Sequence, residues 1–108
     1  APSDFHRAVT GAASAVLGIR DGAHLIATVM VGHDGHRGWV YYLGVDPGQR
    51  LNGLGRTMMA AAEGWLVERG VPKLNLMVRG DNDDARGFYA ALGYAPDDVV
   101  VLARRLDA

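Results

Sequence analysis

Apolar positions along this chain fall in short runs whose period changes from segment to segment. Residues 14–20 and 25–31 are rich in Ala, Val, Ile and Leu, and Asp21-Gly22 between them is a turn signal. They predict a hairpin of two strands. Three glycines among residues 32–38 mark the next turn. Residues 39–45, aromatic and β-branched, predict a third strand, stopped by Asp46-Pro47-Gly48, because proline donates nothing to a ladder. Over residues 56–69 the period becomes helical. Met58, Met59, Ala62, Trp65 and Leu66 share one face, and Arg56, Glu63, Glu68 and Arg69 lie largely off it. Gly70 suits the position just past a helix end, and Pro72 prevents resumption. Residues 73–79 then alternate, with Leu74, Leu76 and Val78 on one face. Asp81 or Asn82 is expected to cap a second helix, with Asp83 and Asp84 in its first turn, where the helix dipole favours anions. Ala85, Phe88, Tyr89 and Leu92 form its stripe, and Gly93 ends it. Residues 99–106 predict a last strand.

The order strand, strand, strand, helix, strand, helix, strand gives a mixed α/β (α+β) domain. Its sheet begins antiparallel, and the third strand, first helix and fourth strand make a parallel crossover. At 108 residues the chain is expected to be a single domain, residues 1–108. Phe5, Arg7, Ala8 and Val9 read as the remnant of a helix.

Charge narrows the partners. Eleven basic residues stand against twelve acidic ones. That balance lacks the basic excess used to bind nucleic acid or an anionic membrane, so neither is expected. Lys73 alone is a lysine, and the other basic residues are arginines. Arginine suits bidentate phosphate contacts, and a high-GC genome gives the same bias. With no cysteine the chain has no disulfide, thiolate metal site or Cys nucleophile. No apolar run approaches the roughly 20 residues of a membrane span, and no signal-peptide pattern opens the sequence. A cytoplasmic location is the expectation by default.

The chemically informative segment runs from Val45 to Arg56 and joins a strand to a helix N-terminus through a glycine-rich turn. Free amides at such a terminus, with glycines that let the backbone come close, suit an anion. A plain strand-to-helix turn is the alternative. A Walker loop needs Gly-Lys-Ser/Thr, whereas Gly53 is followed by Leu54-Gly55-Arg56-Thr57. A dinucleotide fingerprint needs a third small residue where Met58 stands, and an acidic residue where Lys73, Leu74 and Asn75 stand.

The segment Arg50-Leu51-Asn52-Gly53-Leu54-Gly55 resembles the Gln/Arg-x-x-Gly-x-Gly/Ala signature of the GNAT N-acetyltransferases. A second segment, Asn82-x-x-Ala85-x-x-Phe88-Tyr89-x-x-Leu92-Gly93-Tyr94, is similar to that family's Asn-x-x-Ala-x-x-Phe-Tyr helix. Residues 34–38, 41–45 and 71–73 resemble its YpeA-like bacterial branch. The resemblance implies an acetyl-CoA-dependent N-acetyltransferase. It places acetyl-CoA between two splayed parallel strands, those ending at Val45 and beginning at Lys73. Leu43, Gly44 and Val45 would pair with the pantetheine arm, and one of their amides would polarise the thioester carbonyl. Amides of Arg50, Leu51, Asn52, Gly53, Leu54, Gly55 and Arg56 would hold the pyrophosphate. Asn82, Ala85 and Phe88 would line the cofactor side of the second helix, with Asn82 bonding the pantetheine or neighbouring backbone. Tyr89 takes the general-acid position. The amine acceptor, small molecule or protein, is left open.

The family usually begins with a strand and one or two helices that roof the acceptor site. Here only residues 1–11 precede the first predicted strand, so that strand and most of the roof are expected to be absent. An open sheet edge then favours a homodimer. No metal is expected. His33 and His36 have the look of a ligand pair, but they fit a hairpin turn better, as does Asp34 between them; His33, Asp34 and His36 are also the titratable groups within one loop of the central strand. Tyr41 and Tyr42 lie on the strand itself, which offers no carboxylate, so water is the expected base. Two other readings keep the anion loop. One is a non-catalytic acyl-CoA-binding or sensor module, and the other is an unrelated nucleotide-binding domain.

Overall fold

A computed structural model describes residues 4–10, 13–48 and 53–107. The chain divides into two compact units, Ala1–Met77 and Val78–Ala108.

The first unit is a five-stranded sheet carrying one helix. Its strands are β1 (Asp4–Thr10), β2 (Ser14–Asp21), β3 (His24–His33), β4 (Gly38–Val45) and β5 (Leu74–Asn75), and the helix α1 (Leu54–Glu68) joins β4 to β5. The strands lie in the sheet in chain order. The first four run antiparallel, and β4 pairs with β5 in parallel, Gly38 opposite Leu74 and Trp39 opposite Asn75. This is the expected crossover.

Period-2 burial sorts the sheet faces. Ala15, Leu17, Ile19, Ala27, Val29, Val31 and Val40 are buried on the face that receives Met58, Met59, Ala62, Trp65 and Leu66 of α1. Gly38 is required on this face, since a Cβ there would overlap the Leu66 side chain. Gly70 ends α1 at φ +73, and its amide bonds Val67 O at 3.0 Å, the αL stop that glycine makes without strain.

Four expectations are corrected. Residues 5–9 are strand, not a helix remnant: β1 pairs antiparallel with β2 from Asp4–Arg20 to Thr10–Ala15. A seven-residue helix lacks the length to hold itself together in water, whereas the edge of β2 supplies a ladder. A strand therefore precedes the hairpin after all, and the edge of β2 whose exposure had favoured a homodimer is occupied.

The strand expected over 73–79 forms a ladder only at Leu74–Asn75. Its partner β4 changes register two residues after Trp39, and such a bulge bends a strand away from its neighbour. Residues 99–106 form no strand. Apolar and β-branched residues make a strand only when a neighbour takes their hydrogen bonds. None pairs with them among the described residues, and Val100, Leu102 and Leu106 are exposed.

The second unit is built on α2 (Asp83–Ala91). Asn82 is its N-cap, its side-chain oxygen accepting from Ala85 N–H at 3.1 Å, with Asp83 and Asp84 in the first turn. Gly93 follows the helix at φ +97. Among the described residues no helix is long and apolar enough to cross a membrane.

Candidate active site

Strand β4 is irregular at its centre. Thr28 of β3 lies opposite Gly44, and Met30 lies opposite Tyr41. One β3 residue therefore faces two on β4, Tyr42 and Leu43. Tyr42 takes φ 57, the only non-glycine residue with positive φ among those described. A tyrosine in the left-handed region costs about 1–2 kcal/mol, and such strain collects at functional positions. Among the described residues no ladder joins β4 to β5 beyond Trp39. Over Leu43, Gly44 and Val45 β4 has a strand partner on its β3 side alone among the described residues. Leu43 and Val45 are half-buried, and Gly44 is exposed.

The loop leaving β4 is pinned at its start. Asp46 N–H donates to Ile26 O at 2.8 Å. The Asp46 carboxylate accepts from Gly48 N–H at 3.0 Å and from His24 Nε2 at 3.0 Å. The Gly48 amide, followed by His24, holds the Asp46 carboxyl below its ordinary 3.8. Arg50, Leu51 and Asn52 lie outside the described residues. The loop re-emerges at Gly53, φ 72 and ψ 17, the N-cap of α1.

The two helix starts differ. That of α2 is neutralised by the Asn82 side chain and two aspartates. That of α1 has no side-chain cap and no acidic residue in its first turn. Instead Arg56 stands there exposed, beside half-buried Leu54 and Gly55. Thr57 folds back on Gly53 O at 3.1 Å. A Cβ on Gly53 would meet nothing within 4 Å. Free amides, the positive end of the dipole and an added guanidinium make this terminus fit an anion such as a pyrophosphate.

In the second unit Asn82 spends its side-chain oxygen on its own helix. Ala85, Phe88 and Tyr89 are half-buried on α2. The Tyr89 ring meets Phe88 edge-on at 5.0 Å and Tyr94 edge-on at 5.8 Å. Burial raises the Tyr89 phenol above its ordinary 10.0, because desolvation disfavours the phenolate.

The structure places Leu43, Gly44 and Val45 at the end of β4, Gly53, Leu54, Gly55 and Arg56 at the start of α1, Asn82 at the cap of α2, and Ala85, Phe88 and Tyr89 on α2. His33 and Asp34 shape the hairpin turn. Asp34 accepts from His36 N–H and Arg37 N–H, both at 2.9 Å, and His33 Nδ1 accepts from Gly35 N–H at 3.1 Å. Sequence reasoning missed the bulge at Tyr42 and the tie between His24 and Asp46. The second joins residues 22 positions apart and leaves no local signal. The first had a faint one, the exposed glycine at 44 inside an otherwise strong strand.

Comparison with known proteins shows the family. Residues 2–94 match the Acetyltransferase (GNAT) family, and the chain belongs to it. An acetyltransferase of Yersinia pestis is 46% identical over 82 residues, which are 76% of this chain and 58% of that protein. The matched part therefore spans little more than half of that relative's length. Among solved structures, AAC(6')-Iy in complex with the bisubstrate analogue CoA-S-monomethyl-acetylneamine shares the fold. Its TM-score is 0.78 at 15% identity, covering 88% of this chain and 71% of that one. The ribosomal-protein-alanine N-acetyltransferase of Brucella melitensis superposes with TM-score 0.71 at 23% identity, covering 88% and 72%.

Proposed function

We propose that residues 1–108 act as one acyl-CoA-binding domain that transfers the acetyl group of acetyl-CoA to a primary amine, within a complex of protein, acetyl-CoA and acceptor. The observation that carries this reading is the contrast between the two helix starts. In one chain, α2 is capped and acidic, whereas α1 is uncapped, preceded by a left-handed glycine and furnished with Arg56. A helix start without its own anion is suited to take one from solution.

The pyrophosphate belongs at Gly53, Leu54, Gly55 and Arg56, with Arg50, Leu51 and Asn52 assigned beside them on the family motif. The β5-side edge of β4 receives the pantetheine amides as a strand receives a neighbour. The bulge at Tyr42 and Leu43 interrupts the ladder beside this stretch, and an amide of Leu43, Gly44 or Val45 donates to the thioester oxygen as charge builds there. The amine nitrogen forms the new bond to the carbonyl carbon, and the carbon–sulfur bond breaks. On the family motif alone, the sulfur takes a proton from the Tyr89 phenol, which is protonated at neutral pH. A thiolate with a conjugate pKa of about 8.5 is a reasonable proton partner for it. The amine gives its proton to water, and water returns a proton to the Tyr89 phenolate. Asn82 acts through its cap, fixing the start of the helix that carries Ala85, Phe88 and Tyr89.

The test is calorimetry with coenzyme A followed by an acetylation assay on a panel of amines. Binding with turnover supports the enzyme. Binding without turnover on any amine supports the non-catalytic acyl-CoA module. No binding removes both.

A further inference from the structure

Strand β4 carries three aromatic rings in contact. Trp39 and Tyr41 lie 5.0 Å apart, and Tyr41 and Tyr42 lie 6.1 Å apart. Trp39 and Tyr41 share a face by ordinary alternation, opposite the face on which Val40 meets α1. Tyr42 belongs on the other face by the same rule. Its left-handed backbone at the bulge breaks the alternation and turns its ring to the side of Tyr41. The strained residue therefore does two things at once: it sits in the bulge of β4, and it extends the row of rings.

This row is built to be reached. Trp39 anchors it, half-buried on the bare backbone of Gly32, where a Cβ would overlap the indole. Tyr41 is 39% exposed and Tyr42 80% exposed. The rings are tilted by 49° and 43° rather than stacked, so their faces are not used up on one another. Gly38–Val45 contains no charged residue, and neither do Thr28, Met30 and Gly32 on the same face of β3. The electron-rich groups on this stretch are ring faces and two phenol oxygens. Such faces attract cations.

We propose that Trp39, Tyr41 and Tyr42 form a cation subsite that recognises the acceptor, and that the acceptor is an organic amine carrying a second positive charge. The assignment rests on the acetyl-transfer reading above. The attacking nitrogen has to be neutral at the bulge, so the charge that the rings hold sits on another nitrogen of the same molecule. Diamines and polyamines have this chemistry, and amines with a neutral or anionic body do not.

The test uses the full chain and choline as a cation probe, against its neutral isostere 3,3-dimethylbutan-1-ol, in an NMR titration of the aromatic signals. Choline is expected to bind about tenfold more tightly than the isostere, within the range of cation–aromatic attraction. Tyr42→Gly keeps the left-handed backbone and removes the ring, so it folds and loses the preference. Tyr42→Phe keeps the ring and the preference. With acetyl-CoA, 1,4-diaminobutane is expected to exceed butylamine in kcat/KM, and Tyr42→Gly raises the KM of the diamine with little change in kcat. Equal binding of choline and isostere, or a preference surviving in Tyr42→Gly, overturns the subsite. Coenzyme A titrated separately keeps the two ideas apart. Lost coenzyme binding in the wild-type chain defeats the acetyl-transfer reading, whereas choline binding decides the subsite alone.

Discussion

Tyr89 is where residue chemistry and packing separate most cleanly. Its ring is held between Phe88 and Tyr94, and its hydroxyl is what the transfer would use. Tyr89→Phe keeps the ring, so melting temperature and coenzyme affinity are expected to stay near wild type while kcat falls roughly 10²-fold. Wild-type turnover in that variant would make Tyr89 a packing residue. Asp46 makes a prediction about pH. Its carboxyl is held below 3.8 by Gly48 N–H and His24, so its contribution to stability is present above the unfolded value and lost as pH falls through the folded one. Asp46→Asn is therefore expected to melt lower than wild type at about pH 6, with the gap closing below about pH 4. A gap that does not change across that range in calorimetric scans would show that the loop is held by other contacts. At this scale the sequence was readable where a side chain serves its own neighbourhood. Asn82 caps the helix it begins, and Gly70 ends the helix it follows. It was unreadable where partners are distant, as with His24 and Asp46, or where a backbone departs from its neighbours, as at Tyr42.

Elements were legible in proportion to how much they decide for themselves. Helix α1 carries a stripe long enough to specify its face, and Met58, Met59, Ala62, Trp65 and Leu66 are all buried as the period required. The seven residues of β1 fit either period, and only the neighbouring edge of β2 settles them. Residues 73–79 alternate like a strand, yet β4 pairs with two of them, because the bulge takes the rest of β4 out of register. Two glycines on β4 test this picture. At Gly38 a Cβ would overlap the Leu66 side chain, whereas at Gly44 it would make ordinary contact with Thr28 Oγ1 at 3.6 Å. Gly38→Ala is expected to cost about 1–3 kcal/mol, the range for overpacking a core. Gly44→Ala is expected to stay within roughly 0.5 kcal/mol of wild type. Denaturant melts of both variants make the comparison, and equal losses would mean that α1 does not press on the sheet at Gly38.

For the molecule as a whole, the chain holds two units, each with one of the two family motifs: the strand–loop–helix turn in Ala1–Met77 and the tyrosine helix in Val78–Ala108. The sequence showed both motifs at the family's spacing but not the division. Composition and periodicity describe segments, whereas compact units are defined by contacts between them. If acetyl-CoA takes its pyrophosphate to the first motif and its thioester to Tyr89, binding has to stabilise both units together. A ligand that binds only the folded chain adds RT ln(1 + [L]/Kd), about 2.7 kcal/mol at a hundredfold excess over Kd. For a chain of about 100 residues that corresponds to a rise of roughly 10–20 °C. Trp39 and Trp65 are the chain's two tryptophans, and both lie in the first unit, so their fluorescence reports it. Hydrogen exchange over Asp83–Ala91 reports the second. Acetyl-CoA is expected to raise the tryptophan melting transition and to slow exchange across α2. A shift in fluorescence with exchange in α2 unchanged would confine the ligand to the first unit and remove Tyr89 from the reaction. Neither response at millimolar acetyl-CoA would mean that the uncapped start of α1 does not hold this anion.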